Sequence, residues 1–141
     1  NVAAIVKQFE ANQILIVVSA IGKTTNALER VVLLARNQQN FETVIQEIQD
    51  YHLQIIQELD INDPDFNHTI NAKFVELKSL ATQTGEYDQV YDQVVSQGEL
   101  LSSLIVNQYL IQQGLRSAWI DARHYIQTDN TWREGKVDWE Q

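Results

Sequence analysis

The sequence lacks two residue types that often define a class of protein. It contains no cysteine, which excludes a disulfide framework and a thiolate metal site. That absence fits a cytoplasmic protein, and the cytoplasm is the location that we predict. Methionine is also missing, even at position 1, so we expect the natural start of the protein to lie elsewhere. No secretory signal is visible.

Positive charge is scarce as well. The chain has 10 Lys and Arg residues against 19 Asp and Glu residues, which gives a net charge of -9. Nucleic-acid binding and polybasic membrane binding both need clustered cations, so we expect neither partner. The longest nearly apolar run, residues 14–20, is far shorter than the ~20 residues that a spanning helix needs.

The hydrophobic pattern predicts one α/β domain over residues 1–141, with more helix than sheet. Hydrophobic residues make up 44% of the 141 residues, which is enough for a core of its own. Residues 14–18 are consecutive apolar residues, typical of a strand buried on both faces of a parallel sheet. Residues 116–120 and 125–128 are predicted to form two further short strands.

Amphipathic periodicity predicts helices over most of the remaining chain, including a helical hairpin over residues 40–80. Asn40 is expected to cap its first helix. Asp63 and Pro64 suit the N-cap and the first position of its second helix. The predicted apolar faces are Phe41, Val44, Ile45, Ile48, His52, Ile55 and Leu59 in the first helix, and Phe66, Ile70, Phe74, Leu77 and Ala81 in the second.

Residues 19–26 form a polar turn between the first predicted strand and a helix. Ligands of open α/β sheets bind beyond the carboxyl ends of strands, and a helix N-terminus attracts a carboxylate or phosphate. Ser19 and Thr25 would offer hydroxyl groups to such a ligand. The plainer interpretation is that Thr25 or Asn26 only caps the helix.

A second polar group, residues 96–99, has the spacing of a capping box. In that motif Ser96 and Glu99 would each bind a backbone amide of the same helix end. Gly98 is unusual in a helical pattern, where it costs up to ~1 kcal/mol. It therefore suggests the close approach of a ligand or of another backbone, and Glu99 would then accept a hydrogen bond from an ammonium group.

Other polar residues are interpreted as structural. Asp121 and Arg123 follow a predicted strand and are expected to form an ion pair. The histidines His52, His68 and His124 lack the spacing of metal ligands. His52 falls on an apolar helix face, so we expect a hydrogen-bonded core residue there.

Three blocks of the sequence resemble aspartokinases, which belong to the amino-acid kinase family. Residues 17–26 resemble the family's valine-rich strand, followed by Ser-Ala and, after a short gap, Thr-Asn. Residues 95–102 resemble a second block, in which Gly-Glu is followed by Leu and Ser. Residues 119–129 resemble a third block. The blocks occur in the family's order and cover nearly the whole chain.

The resemblance implies a partial three-layer αβα amino-acid kinase fold, helix-rich, with the helical hairpin as an insertion. Aspartokinases transfer the γ-phosphoryl group of ATP to the side-chain carboxylate of L-aspartate, giving 4-phospho-L-aspartate. This step opens the biosynthesis of lysine, methionine and threonine. The resemblance also implies that Ser19 and Thr25 hold L-aspartate, that Glu99 pairs with its ammonium group, and that ATP and Mg²⁺ serve the intact enzyme.

The family's opening Lys-Phe-Gly-Gly strand and its later nucleotide-binding blocks are not found in this sequence. We therefore expect a fragment of the catalytic domain that has no catalytic residue of its own and binds no ATP or Mg²⁺ alone. The missing strand is expected to leave an unpaired sheet edge near residues 14–18 and to favour a homo-oligomer. Two alternatives stay open: an acidic helical interaction module, and another amino-acid kinase such as glutamate kinase.

Overall fold

Helices account for most of the computed structural model, which describes residues 2–139. The α-helices in that range are α1 (Val2–Lys7), α2 (Thr24–Arg36), α3 (Glu42–Glu58), α4 (Pro64–Thr82), α5 (Tyr87–Val95) and α6 (Gln97–Gln112). A short 3-10 turn, Ala122–His124, follows them. None of these helices is long and apolar enough to cross a membrane.

The predicted helical hairpin is confirmed as α3 and α4, which pack against each other. The carboxylate of Asp63 caps α4, accepting the amide protons of Asp65 and Phe66 at 2.9 and 3.0 Å. Before α3, the side-chain oxygen of Asn40 accepts the amide proton of Glu42 at 2.9 Å. Asp63 therefore caps α4 as predicted. The N-cap position of α3 is Phe41 and not the predicted Asn40, whose side chain binds the helix from one residue earlier.

Helices α2 to α6 enclose one hydrophobic core. His52 is fully buried in it, and its Nδ1 donates to the carbonyl oxygen of Ile48 at 2.7 Å. Burial lowers the pKa of His52, as expected for a core histidine. A smaller cluster of Ala3, Leu110 and Leu115 joins α1 to the end of α6.

The strands that the sequence predicted are absent from the part of the chain that the structure describes. Residues 13–21 (the first extended segment) and residues 115–121 (the second extended segment) belong to no sheet there. Residues 14–18 are not buried on both faces: Leu15 is 82% exposed and Val17 is 89% exposed. Near the predicted strand at 125–128, Thr128 and Val137 form an antiparallel bridge and no more.

The failure of these strand predictions has a physical reason. A strand needs a neighbouring strand to satisfy its backbone N–H and C=O groups. Residues 2–139 provide no such neighbour for either extended segment, so the αβα layering is not seen in them. The apolar run at 14–18 is consequently extended but unpaired.

Helix α6 has no distinct polar face, which suits a helix covered from two directions. One side joins the core of the bundle through Leu101 and Ile105. The two extended segments contact other positions of the helix: Ser102 Oγ donates to the carbonyl oxygen of Ser19 at 2.6 Å, and Trp119 Nε1 donates to Ser103 Oγ at 2.9 Å. This arrangement brings the turn after Ser19 to the start of α6.

Candidate functional site

The turn between the first extended segment and α2 depends on a left-handed glycine. Gly22 has φ +60°, and a Cβ there would come within 2.6 Å of the Tyr51 hydroxyl. Thr24 Oγ1 donates to the carbonyl oxygen of Ile21 at 2.6 Å. These contacts close the turn, and α2 begins at Thr24.

The helix cap predicted at Thr25 or Asn26 is wrong. The N-cap position is Lys23, whose side chain makes no capping hydrogen bond. Thr25, which is half-buried, and Asn26 lie in the first turn of α2. Within residues 2–139 their amide groups donate to no backbone acceptor outside the helix. Free amides at the positive end of a helix dipole attract a negatively charged group.

The predicted capping box at residues 96–99 is also wrong. Ser96 Oγ donates to the carbonyl oxygen of Gln93 at 3.2 Å and caps no amide of α6. Glu99 Oε1 accepts the amide proton of Ala20 at 3.4 Å, a long hydrogen bond between residues 79 positions apart. The carboxylate of Glu99 therefore lies beside the turn that follows Ser19.

Gly98 explains how α6 and the turn approach so closely. A Cβ at Gly98 would come within 3.0 Å of the Cβ of Ala20, 3.3 Å of Leu28 Cδ1 and 3.5 Å of Thr24 Cγ2. All three neighbours belong to the turn or to α2. The close approach expected at Gly98 is confirmed, and the approaching group is another part of the chain.

Ser102 has a role that the motif alone did not reveal. It is fully buried, and its hydroxyl donates to the carbonyl oxygen of Ser19 at 2.6 Å. Ser102 lies three residues after Glu99, so both side chains project from one face of α6 toward the same turn. The three-residue spacing of Glu99 and Ser102 on one helix is the signal that the sequence offers.

The structure places the three predicted site residues around one turn. Ser19 is exposed, and its carbonyl oxygen is held by Ser102. Half-buried Glu99 binds the next residue, Ala20. Thr25 stands at the start of α2. A carboxylate thus lies on the α6 side, with hydroxyl and amide donors on the α2 side. Such a pair of walls is chemically suited to a small zwitterion.

A second group of contacts holds residues 128–137 against α5. The Tyr91 hydroxyl donates to the carboxylate of Glu29, and this hydrogen bond raises the pKa of Tyr91. The guanidinium group of Arg133 lies 4.3 Å from the centre of the Tyr91 ring. The amide of Arg133 also donates to Asp92 Oδ2 at 2.7 Å. The carboxylate of Glu29 is therefore hydrogen-bonded to Tyr91. The carboxylate of Glu99, in contrast, lies beside the turn.

The predicted pair of Asp121 and Arg123 is present. The guanidinium group donates to both oxygens of the buried carboxylate, with the shortest distance at 2.6 Å. Asp121 also accepts the amide proton of Arg123 at 3.0 Å. The hydrogen bonds from Arg123 lower the pKa of Asp121 to about 2. Arg123 is therefore committed to a structural contact at the end of the second extended segment.

Between residues 2 and 139 no three His, Cys, Asp or Glu side chains are grouped closely enough to hold a metal ion. Mg²⁺ is usually held by one or two carboxylates together with substrate phosphates. The carboxylate nearest the turn, Glu99, is bonded to Ala20.

Comparison with known proteins agrees with the motifs. Residues 1–138 match the sequence model described as the amino acid kinase family. The chain belongs to the amino acid kinase family. This amino acid kinase sequence is also 32% identical, over 132 residues, to the bifunctional aspartokinase/homoserine dehydrogenase 2 of Escherichia coli (strain K12). No solved structure matches the chain.

The aspartokinase match confirms the resemblance seen in the three sequence blocks. It covers 92% of this amino acid kinase chain and 16% of the Escherichia coli protein. The chain therefore spans about a sixth of the length of the curated relative that it matches.

Gly98→Ala is expected to lower the free energy of unfolding of this amino acid kinase chain by about 1–3 kcal/mol. The added methyl group meets Ala20 Cβ, which is fixed to the backbone, and the clash outweighs the helix-propensity gain of up to ~1 kcal/mol. Urea denaturation measures the change. Gly85→Ala is the matched control, because its nearest neighbour is the flexible end of Gln89 at 3.1 Å. A more stable Gly98→Ala variant would contradict the close packing.

Asp121→Asn is expected to destabilise the chain at neutral pH and to have little effect near pH 2. Since the folded-state pKa of about 2 lies below the ordinary 3.8, the stabilisation is present above about pH 4 and disappears as the pH falls toward 2. The free energy of unfolding, measured across this range, tests the expectation. Arg123→Gln removes the partner and should show the same pH dependence. A loss that is constant with pH would show that the ion pair is not its cause.

Proposed function

We propose that this chain is the substrate-binding part of an aspartate kinase catalytic domain. In this proposal L-aspartate binds between the start of α6 and the turn that precedes α2. The observation that carries the proposal is the contact of Glu99 with Ala20. It sets the acidic side chain of Glu99 on α6 beside the turn that leads into α2, so the two sides of this turn would bind the opposite charges of one small ligand.

Each end of L-aspartate has a matching group in this arrangement. The ammonium group suits Glu99, because a charge-assisted hydrogen bond is stronger than a neutral one. A carboxylate suits the amides at the start of α2. Thr25 in that helix and Ser19 before the turn would each add a hydroxyl group. The bond from Ala20 to Glu99 is long, at 3.4 Å, and involves one carboxylate oxygen, so the other oxygen can receive the ammonium group.

The reaction that we propose for the whole protein is phosphoryl transfer from ATP to the side-chain carboxylate of L-aspartate, giving 4-phospho-L-aspartate. Such transfer relies on positioning and on cations around the phosphoryl group. Lys23 lies in the turn, whereas the guanidinium group of Arg123 is already paired with Asp121. The chain as a whole has a net charge of -9, so it supplies few cations for this purpose. We therefore assign the binding of ATP and Mg²⁺, and the completed αβα layers, to other parts of the intact protein.

The cellular setting belongs to the same proposal. The intact enzyme would work in the cytoplasm as a homo-oligomer and open the biosynthesis of lysine, methionine and threonine. The competing proposal is another amino-acid kinase, such as glutamate kinase, because the family match fits both. Identity of 32% across 92% of the chain to a protein named as an aspartokinase favours aspartate. The same matches count against a plain helical interaction module.

Binding of L-aspartate to the 141-residue chain should shift the NMR amide signals of Ser19, Thr25 and Glu99. Glu99→Gln is expected to weaken binding about 10- to 100-fold, because it removes a charged hydrogen-bond partner. Glu47→Gln is the matched control, since Glu47 is exposed on α3, and it should bind normally. Unchanged affinity in both Glu99→Gln and Thr25→Ala would refute the site. Stronger binding of L-glutamate than of L-aspartate would favour the competing kinase.

Catalysis is tested in a chimera in which this chain replaces the matching 132 residues of the Escherichia coli relative. With ATP, Mg²⁺ and hydroxylamine, the chimera should form the hydroxamate of the acyl phosphate only when L-aspartate is present. Glu99→Gln in the chimera should lower kcat/KM by roughly 10- to 100-fold, for the same reason as in binding. A folded chimera that forms hydroxamate with L-glutamate and not with L-aspartate would overturn the proposed substrate.

A further inference from the structure

A pocket lies at the end of the bundle where α2 and α4 finish and α5 begins. Helix α2 ends at Arg36, and Gln38 turns the chain toward α3 with a left-handed φ of 54°. Residues 83–86 connect α4 to α5 at the same end. Arg36 joins the two connections, because its Nη1 donates to the carbonyl oxygen of Gly85 at 3.2 Å. The pocket between them has a volume of about 490 Å³.

Much of the pocket lining is apolar. The apolar side chains in it are those of Val32, Ala35, Phe41, Ala81 and Val90. All five belong to the hydrophobic core or pack against it, so the packing of the helices holds this surface in place. A concave, mostly apolar surface of this size suits a small organic molecule better than an inorganic ion.

Charge in the pocket is limited to one arginine. Arg36 is the only charged side chain in the described lining, although Asp and Glu outnumber Lys and Arg by 19 to 10 in the whole chain. Within residues 2–139, Arg36 forms no salt bridge with a carboxylate. Its hydrogen bond to Gly85 uses one of the five N–H donors of a guanidinium group. The pocket therefore offers a positive group to an anionic ligand.

We propose that this pocket binds a small carboxylic acid that has an apolar body and no amino group. The carboxylate would accept two hydrogen bonds from Arg36, in the bidentate geometry that a planar guanidinium group favours. The apolar lining would contact the body of the ligand.

The absence of an amino group follows from the acidic residues near the pocket. An ammonium group needs a carboxylate partner, and the described lining contains none. Glu86 and Asp88 are the next acidic residues along the chain, but both are exposed and lie outside the lining. Asp88 also lies 3.7 Å from the guanidinium group of Arg133. The pocket therefore selects a plain carboxylate over an amino acid.

This proposal does not depend on the proposed binding of L-aspartate. The pocket and the candidate site lie at opposite ends of α2, whose 13 residues span about 18 Å. Their chemistry differs as well, because Glu99 offers a negative group beside the turn, whereas Arg36 offers a positive group in the pocket. Each proposal can therefore fail while the other stands.

Phenylacetate and 4-methylpentanoate are the probes, because each joins a carboxylate to an apolar body. Added to the 141-residue chain, they should shift the NMR amide signals of Gln38, Thr84 and Gly85. The shifts should saturate with a Kd of about 1 mM, which is ordinary for about ten non-hydrogen atoms. Absence of saturable shifts with both probes would overturn the proposal.

Two relatives of phenylacetate test the ligand class. Phenylacetamide lacks the negative charge, and L-phenylalanine adds an ammonium group. Each should bind about 10-fold more weakly than phenylacetate or worse, because a charged hydrogen-bond partner is lost or an unpaired charge is added. Equal affinity for either compound would overturn the assigned class.

Variants of the chain locate the ligand. Arg36→Gln removes the charge at an exposed position and should weaken phenylacetate binding about 10-fold or more. Arg30→Gln is the matched control, since Arg30 is exposed on the same helix and lies outside the lining, and it should bind normally. Circular dichroism checks the helix content of both variants. Normal binding by Arg36→Gln, or an equal loss in Arg30→Gln, would overturn the proposal.

Ala35→Leu tests the apolar part of the pocket. It keeps Arg36 and places a larger side chain in the lining, so it should prevent phenylacetate binding by filling the space that the ligand needs. Undiminished binding by this variant, with helix content unchanged, would contradict the assignment of the ligand to this pocket.

Discussion

The contact between the start of α6 and the turn before α2 is the constraint on which the rest of the structure depends. The absence of a side chain at Gly98 lets Ala20 approach to van der Waals distance. Glu99 and Ser102 then bind the backbone of the turn, across 79 and 83 residues of sequence. These two hydrogen bonds hold the end of the first extended segment against α6, and the turn that follows it leads into α2. A small change in packing at Gly98 therefore moves both walls of the candidate site.

The helical part of the fold was predictable because its information is local. The hairpin of α3 and α4 follows from apolar periodicity, and Asp63 caps α4 as its position before Pro64 indicates. The strands were not predictable in this way, because a strand is stable only beside another strand, and no local pattern specifies the position of that second strand. Residues 14–18 have the composition of a buried strand, yet Leu15 and Val17 are exposed, since nothing within residues 2–139 pairs with them.

The sequence motifs identified side chains that lie around one turn, but they did not identify the hydrogen bonds at that turn. The motifs pointed to Ser19, Thr25 and Glu99, and the structure sets them around one turn. Local rules nevertheless assigned Glu99 to a capping box. That assignment failed because Ser96 has helical dihedral angles, which do not suit an N-cap, and because a distant amide on Ala20 competes for the carboxylate. Sequence spacing alone contains no information about such a competitor.

The first extended segment leads directly into the candidate site, and this has an energetic consequence. The hydrogen bonds from Ser102 to the carbonyl oxygen of Ser19 and from the amide of Ala20 to Glu99 restrict the backbone of the turn. Ordering that backbone lowers the conformational entropy that ligand binding at the turn must otherwise overcome. Ser102 and Glu99 thus hold the turn in one conformation through hydrogen bonds that join it to α6.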